Sequence, residues 1–122
     1  MDSILQSIKK LLGIDDEYKH FDDDIVMHIN TVFAILKQLG VGPPEGFSII
    51  DRGEIWSDYS PDNTLNESVK TYIYLKVKLI FDPPLSSAAV ETIKELVKEL
   101  EWRLNIDVDT PTLTAKEENQ NE

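Results

Sequence analysis

A chain of 122 residues with 41% hydrophobic content supports one domain around a single core. Twelve basic against 23 acidic side chains give a formal charge of −11, which repels a phosphate backbone and disfavours conventional nucleic-acid binding, while permitting a basic protein partner. Absence of cysteine removes disulfides, thiolate nucleophiles and cysteine-based zinc sites. No run approaches the ~20 apolar residues of a membrane span.

The opening "MDSILQSIKKLLGIDD" is too acidic for a secretory signal, so the expectation is a soluble protein of the cell interior. Ser3 and Gln6 make an S-x-x-Q capping box, Ile4, Leu5, Ile8, Leu11 and Leu12 recur at helical spacing, and Gly13 stands where a C-terminal glycine belongs. A short first helix follows. After "IDDEYKHF", Asp22, Asp23 and Asp24 offer N-cap and first-turn carboxylates to a second helix, whose apolar positions Ile25, Ile29, Val32, Phe33, Leu36 and Leu39 keep the 3.6-residue period up to Gly40. "GVGPPEG" then forces a turn. Residues 47–63, "FSIIDRGEIWSDYSPDN", read as an irregular excursion. They hold either a small hairpin around Arg52-Gly53 or one helical turn within Glu54 to Tyr59.

"YIYLKVKLIF" alternates like a strand, and its β-branched and aromatic content favours one. Length decides otherwise. Thr64 and Glu67 form a T-x-x-E capping box and "DPP" at 82–84 stops the element, which is far longer than the about 5–6 residues of an ordinary strand. The spacing predicts a helix over 65–81, apolar around most of its circumference and therefore needing cover on more than one side. Part of that cover is expected from a neighbouring subunit, with Tyr72, Leu75, Lys76 and Leu79 as interface candidates. Lys76 lies within the apolar arc. Either its stem lies on apolar surface with the ammonium in water, or it pairs with a carboxylate of the following helix or of another subunit.

Ser86 or Ser87 caps a last helix along Ala89, Ile93, Leu96, Val97, Leu100 and Leu104, with charged residues on its other face. Trp102 falls off the apolar line and either covers the core edge or anchors a partner. Trp56, in the excursion, is assigned to partner contact. The fold class is therefore mainly α: about four helices over 1–104, with an extended C-terminal tail over 105–122. The tail is either a solvated end or an added strand, with Ile106, Val108 and Leu113 as partner-binding candidates.

No catalytic chemistry emerges. The cluster Asp15, Asp16, Glu17, Asp22, Asp23 and Asp24 lacks the ordered ligands and tight-turn glycine of a calcium loop, and His20 and His28 have no ligand spacing. The serines lack a nucleophile-elbow context, and no glycine-rich loop cradles a phosphate. No enzyme activity, metal or cofactor is expected.

Three blocks, "IKKLLGID", "SVKTYIYLKVKLIFDPP" and "ELEWRLN", together resemble the small helical head-tail connector (adaptor) proteins of tailed bacteriophages, over about residues 3 to 105. The excursion and the tail do not share in it. The resemblance implies a structural virion protein of the neck, found in the host cytoplasm before assembly. It implies a twelve-fold ring beneath the portal protein that extends the DNA channel, gives the next neck or tail-completion protein a platform, and engages the portal through its C-terminal segment. DNA would pass without specific binding. The alternatives are a stopper or tail-completion protein of the same neck, or a stand-alone acidic module that occupies a basic partner.

Overall fold

The computed structural model describes residues 3–121, with side chains up to Ile106. Five helices follow in order: α1 (Ile4–Leu12), α2 (Asp22–Gln38), α3 (Trp56–Tyr59), α4 (Asn63–Phe81) and α5 (Ser87–Asn121). The mainly helical class is therefore as the periodicities require, with no strand among the described residues.

The start of α1 is half a capping box. Ser3 Oγ accepts from Gln6 N at 3.3 Å, but the Gln6 amide turns away to donate to Asp16 Oδ2 at 3.0 Å. Gly13 ends the helix at φ 79°, in the left-handed region that glycine enters without strain. Phe21 takes the N-cap position of α2 without a side-chain cap, so Asp22, Asp23 and Asp24 act on its first turn through charge.

The excursion over 47–63 does not form a hairpin. Asn30 of α2 supplies an acceptor to Ile49 N at 2.7 Å and donates to Ile49 O at 2.9 Å, which occupies the backbone groups a partner strand would have used. Glu54 then folds back to accept from Ile50 N and Asp51 N, and only an isolated bridge between Ser3 and Ile55 has strand character. One helical turn, α3, completes the segment. Asn66 holds it from α4, donating to Trp56 O at 3.1 Å and to Ser60 O at 2.8 Å.

Residues 63–81 are helical, as their length predicts. The cap is Asp62 and not Thr64: Asp62 Oδ1 accepts from Thr64 N at 3.0 Å and Leu65 N at 3.2 Å. α4 packs against α1, α2, α3 and α5, so Val69, Tyr72, Ile73, Leu75 and Val77 are all buried inside one subunit. Each such side chain stabilises the fold by about 1.5–3 kcal/mol. This corrects the expectation that α4 depends on a second copy for cover: four elements of its own chain surround it, leaving Ile80 as its exposed large apolar residue.

Pro83 and Pro84 separate α4 from α5, and Ser86 Oγ accepts from Ala89 N at 3.3 Å to cap the latter. The backbone of α5 continues as helix through 105–121, where an extended tail is expected from composition. No glycine follows Leu104 to supply a left-handed stop.

One close approach sets a limit on substitution. Gly42 has φ 87°, and a Cβ placed there would run into the Tyr59 hydroxyl. The Tyr59 ring is 4% exposed and packs on Phe33 and Phe47, with centroids at 5.0 and 5.4 Å. Its oxygen has no hydrogen-bond partner among the described residues, and burial pushes its pKa up to about 12. We expect Gly42→Ala to cost about 2 kcal/mol or more in urea unfolding, through backbone strain and overpacking. Tyr59→Phe is expected to be neutral or stabilising by up to about 1 kcal/mol, because it removes an unsatisfied buried group. Folded Tyr59 holds its proton more tightly than the unfolded chain does. Its contribution is therefore fully present below pH 10 and is lost as pH rises from 10 toward 12. Tyr59→Phe should flatten part of that alkaline slope.

Candidate docking surfaces

The most heavily wired part of the surface is the connection between α1 and α2. Lys9 is 1% exposed, and its ammonium lies 2.8 Å from Asp22 Oδ1 while donating to Tyr18 O at 2.7 Å and Asp16 O at 3.1 Å. A buried ammonium requires such partners, since an unpaired charge in the interior is strongly unfavourable. Further cations reach the same loop: Arg52 Nη1 stands 3.5 Å from Asp16 Oδ2, and Lys19 donates to Asp16 O at 3.2 Å. The acidic cluster is thus partly spent on holding its own backbone. Among the described residues, no group of three His, Asp or Glu side chains is placed to share a metal.

Sequence reasoning missed Lys9. A signal existed, because Lys9 shares the face of α1 that carries Leu5 and Leu12, but nothing in the spacing selects Asp22 over its neighbours.

A second surface lies along α5. Val97 and Leu104 point into the core, whereas Leu96, Trp102 and Ile106 are 44%, 65% and 37% exposed. Trp102, Ile106, Leu100, Leu104 and Arg103 join Ser68 of α4 around a cleft of about 390 Å³. An exposed indole beside a partly apolar cleft is the composition of an interface anchor. Arg103 beside it pairs with Glu99 at 2.6 Å.

The remaining candidates fall in different places. Tyr72 is fully buried, and its hydroxyl donates to Glu101 Oε1 at 3.1 Å; desolvation first, and the Glu101 carboxylate second, raise its pKa. Leu75 is buried and Leu79 half-buried against the core. Lys76 is half-buried with no carboxylate within 4 Å among the described residues, so the structure gives it no ion pair with α5. Trp56, expected at a contact surface, is instead 7% exposed with Nε1 donating to Ser7 Oγ at 3.1 Å; α3 turns the indole inward. The structure brings Trp102 and Ile106 together at one cleft. The side chains of Val108 and Leu113 lie outside the described residues.

The comparison that decides the family is with models of known families: the one described as phage connector protein matches residues 4–111. The chain belongs to the phage connector protein family. The match takes in all of α1 to α4 and most of α5, so the Trp102 cleft and the Lys9-anchored loop are both parts of the connector fold. Searches of curated proteins and of solved structures gave no match. Phage connectors are a structural class, and a place in the virion neck follows from membership. Among the described residues no helix is long and apolar enough to cross a membrane.

Proposed function

We propose that this connector acts as an adaptor: copies assemble as a ring, twelve-fold by the family resemblance, beneath the portal. The ring extends the DNA channel and offers a platform to the next neck protein. The observation that carries the reading is the family match across the helical body. Geometry supports it through the exposed Trp102 and Ile106 on α5, the helix that leads into the C-terminal segment. The high negative charge suits a conduit, since it limits adhesion of the DNA passing through. Its role is mechanical, with no bond made or broken.

Purified protein mixed with the portal protein of the same phage should, by electron microscopy, give a ring stacked on the portal. Portal particles that remain bare would count against the adaptor role. Truncation after Asn105 should weaken docking; unchanged docking would remove the contribution assigned to the C-terminal segment.

A further inference from the structure

We propose that the aromatic corner built by Tyr18, His20, Phe21 and Phe81 is a seat for an arginine side chain of a basic partner protein. The rings form a contiguous strip. Tyr18 meets Phe21 at 5.7 Å between centroids, His20 meets Phe21 edge-on at 4.9 Å, and Phe21 meets Phe81 of α4 at 5.1 Å. Phe21 and Phe81 are rooted in the core, but Tyr18 is 49% exposed and His20 is exposed, so their rings extend the strip into solvent.

Three features select the occupant. Aromatic faces attract cations, and a guanidinium stacks flat on them while its edge donates to carboxylates. Glu17 precedes Tyr18, Asp82 follows Phe81, and Asp23 and Asp24 stand in the first turn of α2 that Phe21 opens; all four are exposed, and Glu17, Asp23 and Asp24 make no ion pair among the described residues. The chain's charge of −11 repels nucleic acid, and the carboxylates flanking the rings make a basic protein segment the complementary surface. The seat is also preformed. Lys9 holds Tyr18 O and Asp16 O from inside, and Lys19 is drawn to Asp16 O, so binding need not order the loop first.

This inference is independent of ring formation and is tested on the full chain alone. The probe is an uncharged Gly-Ser peptide spaced with three arginines, compared with its three-lysine counterpart, by NMR titration and calorimetry. The arginine peptide should bind more tightly and shift the Tyr18, His20, Phe21 and Phe81 ring signals first. Tyr18→Ala with His20→Ala should weaken it about tenfold, while Tyr18→Phe retains binding. The Tyr18 carbonyl that Lys9 uses is kept in all three substitutions. Glu91→Gln with Glu95→Gln, remote charge removals on α5, should change affinity less than twofold. Equal binding of the two peptides, shifts spread evenly over the acidic surface, or equal losses in the aromatic and remote variants would overturn the proposal.

Discussion

Replacing Lys9 with alanine is expected to lower stability by about 3–5 kcal/mol, the range for breaking a buried ion pair from one side. The substitution would remove the contact with Asp22, leave the Tyr18 carbonyl without its side-chain donor and take one of three donors from the Asp16 carbonyl. It would also empty space beside the α1 core. Asp22 is 18% exposed and so has some access to water, which places the expected loss toward the lower end of that range. Lys10 is the control, being exposed on the same helix; Lys10→Ala should stay within about 0.5 kcal/mol of the parent. Urea unfolding midpoints measure both. Similar midpoints for the two variants would show that the clamp contributes little.

The second large effect concerns assembly. Trp102→Ala is expected to weaken docking in the neck by about 30-fold, roughly the 2 kcal/mol of a hot-spot aromatic. At 65% exposure the indole supports little of the subunit core, so thermal unfolding of the free chain should barely move. Tyr72→Ala gives the opposite pattern. That ring is fully buried, and its loss should cost about 3–5 kcal/mol of stability whatever happens to docking. Electron microscopy of portal mixtures, scored for ring occupancy, separates the two. Full occupancy with Trp102→Ala would move the contact surface away from the α5 cleft.

The bundle was legible in the sequence because its punctuation is local. Gly13, Gly40 and the "DPP" stop bound elements whose apolar periods are long, and length together with the end signals decided 65–81 against a strand. What escaped depended on distant groups. Asn30 takes Ile49's backbone from 19 positions away, which abolishes the hairpin, and Trp56 turns inward because Ser7 and α4 receive it. Lys9 could be placed on the apolar face of α1, but its partners come from a loop whose path no local signal describes. The same limit explains why the breadth of apolar residues on α4 suggested a neighbouring subunit. Periodicity tells how much surface must be covered, while only topology tells by what. Trp102 was readable in part, since its offset from the line of Val97 and Leu104 is a property of one helix.

Because α4 is sheathed by its own chain, a newly made copy is complete before it meets anything else. A solitary copy is therefore expected to unfold cooperatively with a midpoint independent of protein concentration, and a midpoint that rises with concentration would show that folding waits on company.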